Sequence, residues 1–140
     1  MGIFVDTGFY FALLATKDAK HSRAQFLLNE LSEGIYGQIY TSDFVFDESM
    51  TLINVRTKGE RTDLLEKVKS LFLGEYPIAK MIMIESQLFD EIANLQIKIT
   101  KKDDPLSFTD CSNIILCQKR KLFKIISFDG HYKGILTQIQ

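Results

Sequence analysis

IFVDTGFYFALL, residues 3 to 14, breaks one apolar run with a single carboxylate, Asp6, and resumes with another after Thr7 and Gly8. The first run, GIFV at 2 to 5, has the length and unbroken apolarity of a strand buried on both faces. The second is too long and too aromatic for a loop and reads as a short helix. Asp6 therefore ends a buried strand, either as the N-cap of the helix that follows or as a group presented at the edge of a sheet.

Outward from this stretch, strands and helices alternate. A helix over 20 to 34 has Ser22 as its cap, Phe26, Leu27 and Leu31 at helical spacing and Gly34 as its stop. GQIYTS (37 to 42) reads as the second strand. The helix over 42 to 59 opens on Ser42 and Asp43, ends at Gly59, and is followed almost without a linker by another over 60 to 74, so the two form a projecting hairpin. PIAKMIMI (77 to 84) is a third strand and residues 85 to 99 a helix. Residues 100 to 107 form the most loop-like segment, 107 to 120 a helix, and LFKIISF (122 to 128) a strand. The tail carries a turn and, if the sheet has five strands rather than four, an edge strand. Such alternation implies right-handed crossovers and an α/β fold with a mostly parallel sheet covered on both faces. Ligands of such sheets bind outside the carboxyl ends of the strands.

The totals agree with one domain over 1-140: 46 % of residues are hydrophobic and 25 % charged, a globular balance that excludes disordered and fibrous classes. No apolar run approaches the ~18 residues of a membrane span, so a cytoplasmic chain with no membrane partner is expected. Lys and Arg number 17 against 18 Asp and Glu, which leaves no strong overall field for a polyanion. A nucleic acid would have to meet a local patch: KITKK (98 to 102), KRKLFK (119 to 124), or the looser group of Arg56, Lys58 and Arg61. Taken alone, each of these reads more readily as a solvated face. Cys111 and Cys117 sit six residues apart on one helix, a rise of about 9 Å that exceeds the ~7 Å reach of a disulfide, so both should be reduced.

Three further acids sit as oddly as Asp6. At about 100° per residue, Glu48 shares a helical face with Phe44, Val45, Leu52 and Val55, whereas Asp43, Asp47 and Asn54 occupy a polar face. A carboxylate in an apolar stripe costs several kcal/mol unless it is paired or bound to a cation, so Glu48 marks a buried salt bridge or a cation site. Asp110 lies in the first turn of its helix, where the macrodipole favours an anion by about 0.3–1 kcal/mol, yet it shares a face with Ile114 and Cys117. Asp129 ends its strand as Asp6 ends the first, and it also suits a turn before Gly130. Gathered together, four such acids would repel one another unless a hard cation, Mg²⁺ or Mn²⁺, neutralised them. Zinc is unsuited: no cysteine pair has ligand spacing, and His21 and His131 are far apart in sequence.

IFVDTGFYFALL, TSDFVFDESMTLI (41 to 53), PLSFTDCSNIILCQKR (105 to 120) and ISFDGHY (126 to 132) resemble, in order and spacing, the four acidic motifs of PIN-domain nucleases. The resemblance spans essentially the whole chain, and PLSFTD with its apolar helix and the following SFD is similar to VapC-type toxin ribonucleases of toxin-antitoxin pairs. It implies a three-layer α/β/α fold and metal-dependent hydrolysis of RNA that leaves a 5′-phosphate and a 3′-hydroxyl. It also places the family's acids on Asp6, Glu48, Asp110 and Asp129. Asp6 and Asp110 would be the principal Mg²⁺ or Mn²⁺ ligands, Asp129 would complete the shell, and Glu48 would orient ligands or the attacking water. Thr109 matches a supporting hydroxyl, and Thr7 can serve likewise. Gly8 departs from the serine often found there. The implied partners are RNA, with single-stranded loops the expected target, a cognate antitoxin that places an Arg near the carboxylates, and a second copy in a homodimer. A PIN domain that processes precursor RNA, or an inactive interaction module, remains open. A phospho-receiver lacks its acidic pair and lysine here, and a dehalogenase-like phosphatase lacks its second Asp, where Gly8 stands.

Overall fold

A computed structural model describes all 140 residues. Five strands, β1 (Gly2–Val5), β2 (Gln38–Ser42), β3 (Lys80–Ile82), β4 (Lys124–Ile126) and β5 (Thr137–Ile139), form one sheet in the order β3-β2-β1-β4-β5. Every pairing is parallel. Central β1 is buried at all four positions, which is why its sequence shows no alternation. The tail does supply the fifth strand, at an edge.

Six α-helices surround the sheet: α1 (Thr7–Leu14), α2 (His21–Ser32), α3 (Asp43–Arg56), α4 (Thr62–Leu73), α5 (Phe89–Ile99) and α6 (Phe108–Arg120), with a 3₁₀ turn (Ser86–Leu88) leading into α5. Right-handed crossovers put α1 to α4 on one face and α5 with α6 on the other. Helix packing divides the same way, except that α3 also meets α6. That contact brings the helices carrying Glu48 and Asp110 together. The chain runs from β1 outward to β3, then crosses back to β4 on the other side of β1. The strand order thus reverses between β1 and β4, and the crevice such a reversal opens lies just beyond Val5 and Ile126, the last residues of the two strands.

Several local expectations need correction. Ser22 does not cap α2, which starts at His21. Asp18 takes over upstream: its Oδ1 accepts the Lys20 N–H at 2.8 Å and its carbonyl accepts the His21 N–H at 3.0 Å. Phe26 stays outside, 53 % exposed under the Arg23 guanidinium, and the buried face of α2 is Ala24, Leu27 and Leu31. Val55 is likewise 67 % exposed, because α3 buries Val45, Ser49 and Ile53. Glu48 therefore flanks the buried stripe and is half-buried.

Strand β3 is shorter than 77 to 84 because its partner runs out: Ser42 pairs with Ile82 and then turns into α3, its Oγ accepting the Val45 N–H at 3.1 Å. Gly34 and Gly59, at φ +78° and +72°, occupy the left-handed region just past α2 and α3, where a side chain would be strained. The α3–α4 hairpin forms as expected, and α4 seats Leu64, Val68 and Phe72 inward, with Phe72 stacked on Tyr10 of α1 at 4.1 Å. Both cysteines are buried free thiols on α6.

Candidate active site

Asp6 follows the last residue of β1, and its backbone N–H continues the ladder to the Ile126 carbonyl at 3.0 Å. Its side chain caps α1, Oδ1 accepting the Thr7 N–H at 2.8 Å. Capping, however, uses only part of this carboxylate. Oδ1 also accepts Asn113 Nδ2 at 3.1 Å, while Oδ2 accepts the Ser127 hydroxyl at 3.0 Å and faces the Tyr132 hydroxyl at 3.3 Å. Asp6 is 2 % exposed, yet no cation of the chain pairs with it.

Asp110 is set by a reciprocal capping box with Ser107: the Ser107 hydroxyl accepts the Asp110 N–H at 2.9 Å, and Asp110 Oδ2 accepts the Ser107 N–H at 3.1 Å. Its Oδ1 lies 3.3 Å from the Tyr132 hydroxyl. Asp129, just beyond β4, turns the chain by accepting the His131 N–H at 3.0 Å. Oxygens of Asp6, Glu48 and Asp110 lie within 4.8 Å of one another, and ligand atoms of Asp110, Asp129 and His131 form a second such group. The fold thus draws the four acids together, and Lys and Arg neutralise none of them.

The electrostatics record the crowding. Burial first, then the Asp129 charge, push Asp6 up to about 7, against the Thr7 N–H that pulls it down; Asp110 and Glu48 add to the rise. Burial likewise raises Glu48 and Asp129. The Thr7 hydroxyl faces Glu48 and offsets part of its rise, although it closes no hydrogen bond of ordinary geometry. His131 is the only countercharge: Nδ1 lies 2.9 Å from Asp110 and 3.6 Å from Asp129, and Nε2 3.4 Å from Asp104. Partial burial pulls its pKa down, but Asp129, Asp110 and Asp104 outweigh this and leave it raised.

Sequence reading passes over His131, Tyr132, Asn113 and Ser127. Three of them flank Asp129 within ISFDGHY, and Asn113 stands three residues after Asp110, on the same helical face. Tyr132 and Asn113 are buried and join the two principal acids, with Asn113 Nδ2 3.0 Å from the Tyr132 hydroxyl. Thr109 is half-buried; its carbonyl accepts the Ser112 hydroxyl at 2.7 Å, and its own hydroxyl reaches none of the four carboxylates.

A family model for the PIN domain matches residues 3–135. The chain belongs to the PIN-domain family. It is 24 % identical over 135 residues to a VapC ribonuclease of Archaeoglobus fulgidus, covering 94 % of this chain and 80 % of that protein. Its fold matches the crystal structure of Mycobacterium tuberculosis VapC20, a toxin that cleaves the sarcin-ricin loop, with a TM-score of 0.77, 24 % identity and 96 % coverage of both chains. The α/β fold with a parallel sheet is thus that of PIN domains.

The donor set of this PIN domain fits a hard divalent cation: an all-oxygen trio from Asp6, Glu48 and Asp110, with the buried Thr7 hydroxyl facing Glu48 but closing no hydrogen bond of ordinary geometry. Tyr132→Phe removes the hydroxyl between Asp6 and Asp110 while preserving the ring. It is expected to weaken Mn²⁺ binding about 10- to 100-fold by calorimetry; unchanged affinity would show that Tyr132 does not hold the ligands in place.

Proposed function

We propose that this PIN-domain protein is an endoribonuclease dependent on Mg²⁺ or Mn²⁺ and the toxin of a VapBC-type toxin-antitoxin pair. The observation that carries the reading is the cluster of four acids with no Lys or Arg partner, since an interaction module would have no reason to keep such mutual repulsion. Asp6 and Asp110 would hold the ion, Glu48 would reach it through a bound water, Asp129 would complete the shell from the Asp110 side, and Thr7 would steady Glu48. Bound there, the ion would polarise a phosphoryl oxygen and acidify a water.

The protein's own groups do the positioning. Tyr132, Asn113 and Ser127 fix the Asp6 carboxylate from three sides, and Ser107 and His131 fix Asp110. Glu48, exposed to a cleft of about 350 Å³ whose walls include Gly8, Phe128 and Asp129, orients the attacking water and takes its proton. In-line displacement then forms the bond from the water oxygen to phosphorus and breaks the P–O3′ bond, and the departing oxygen takes a proton from solvent, leaving a 5′-phosphate and a 3′-hydroxyl.

The names of the relatives, a VapC ribonuclease and a sarcin-ricin-loop-cleaving toxin, support RNA as substrate and an antitoxin as partner; a second copy in a homodimer belongs to the same reading. No helix is long and apolar enough to cross a membrane, which is compatible with a cytoplasmic setting. Induced expression is expected to arrest growth, co-expression of the upstream reading frame to relieve the arrest, and end-mapping of cellular RNA to find new 5′-phosphate ends. New ends without arrest would instead indicate a processing nuclease, and absence of both would defeat the reading.

A further inference from the structure

Four carboxylates repel the phosphates they are to act on, and the chain's formal net charge of -1 supplies no general attraction. A second cleft lies beside the first. Of about 470 Å³, it opens between the carboxyl end of α1 and the α3–α4 hairpin. Its floor is apolar, with Phe11, Leu14 and Ile53, and its rim carries four cations, Lys17, Arg56, Arg61 and Lys67, with no carboxylate among the lining residues. Phe11 and Arg56 line both clefts, so the two are continuous.

The cations are not equivalent. Arg61 is held by both oxygens of Asp63 at 2.9 Å, whereas Lys17, Arg56 and Lys67 have no carboxylate partner. Arg56 lies over the Phe11 ring at 5.4 Å, at the boundary between the clefts. The cations of the other basic stretches, KITKK and KRKLFK, line neither this cleft nor the acidic one, and Lys119 is in addition paired with Glu91.

We propose that this second cleft binds a nucleotide of single-stranded RNA flanking the scissile phosphate, an inference that rests on the RNA-cleaving reading above. The base lies on the Phe11–Leu14–Ile53 floor, and its phosphate is shared among Arg56, Lys17 and Lys67. A floor without directional polar groups beneath a cationic rim accepts any base, because every base has a face to bury while the phosphate supplies the attraction. Arg56, common to both clefts, positions the strand so that the next phosphate falls on the acids. Base preference is then set elsewhere, and this cleft governs affinity and salt dependence.

The test measures anisotropy of a short fluorescein-labelled single-stranded RNA in Mg²⁺, with cleavage blocked by Asp6→Asn. Lys17 and Lys67 are exposed, so Lys17→Gln/Lys67→Gln leaves the fold intact, as circular dichroism will check. The pair is expected to weaken binding about tenfold and to lower the slope of log affinity against log salt by about 0.7, the value for one single-strand phosphate no longer neutralised. Lys69→Gln/Lys80→Gln removes the same charge outside this cleft and should change affinity less than about twofold. Equal behaviour of the two pairs overturns the proposal, and if Lys17→Gln/Lys67→Gln then weakens capture of an acidic protein partner, the cleft belongs to that partner. If RNA fails to bind even with all four lysines present, the RNA-cleaving reading falls with it.

Discussion

Asp6→Asn is expected to slow RNA cleavage about a thousandfold, some 4 kcal/mol of barrier, and at the same time to make the metal-free protein harder to unfold at pH 8. The loss follows from the role proposed for Asp6 as a cation ligand, since charge stabilisation by a bound ion is worth several kcal/mol at the transition state. The gain follows from the environment. Asp6 is buried among three other carboxylates without a Lys or Arg partner, and its ionised form is disfavoured up to about pH 7. An amide keeps the useful contacts: its oxygen still accepts from Thr7 and Asn113, and its nitrogen can donate to Ser127 and Tyr132. Urea melts in EDTA should show a gain on the order of 2 kcal/mol. Wild-type cleavage in the variant would remove Asp6 from the machinery, whereas lost cleavage without added stability would mean that its charge does not burden the fold.

What the sequence reveals of this site depends on the kind of regularity each residue interrupts. Asp6 and Asp129 stand out because they end apolar strands, and a parallel ladder that pairs Phe4 with Ile125 and Val5 with Ile126 brings those ends side by side. Glu48 stands out through helical phase, although the phase is slightly misjudged: Val55 faces solvent, and the buried line is Val45, Ser49 and Ile53. Asn113, Ser127 and Tyr132 interrupt nothing that a one-dimensional pattern can register. They are small or amphipathic groups in buried segments, and their role lies in where a side chain points across the α6–β4 seam. His131 is passed over because its distance from His21 argues against zinc, and nothing in that comparison tests its relation to Asp110. Ser22 shows the same limit on a smaller scale: it is a good cap by type, but Asp18 reaches the helix start first.

In EDTA, stability should fall as pH rises from about 4 to 8, and Mn²⁺ should cancel most of that fall at the alkaline end. The sign follows from Asp6, which burial and the neighbouring carboxylates push from the ordinary 3.8 up to about 7 in the folded protein. A carboxyl raised in the folded state stabilises it fully below the unfolded value and loses that contribution as pH climbs through the folded one. A rise from 3.8 to about 7 corresponds to roughly 4 kcal/mol from Asp6 alone, on the order of 10 °C in melting temperature for a chain of this size. Glu48 and Asp129, also raised, act in the same direction. So does His131: its charged form is stabilised by Asp110 and Asp129, and that contribution too disappears as pH passes its raised value. No group of the cluster with a shifted pKa opposes the trend. A divalent cation held by this cluster, as proposed, would bind the deprotonated carboxylates of the folded chain, so its stabilisation would grow with pH while that of the protons wanes. Melting curves at pH 5 and pH 8 separate the two: the Mn²⁺-induced rise should be small at pH 5 and large at pH 8. Equal rises at both values would mean that metal and protons do not compete for the same oxygens, and the cation would then have to bind somewhere other than Asp6, Glu48 and Asp110.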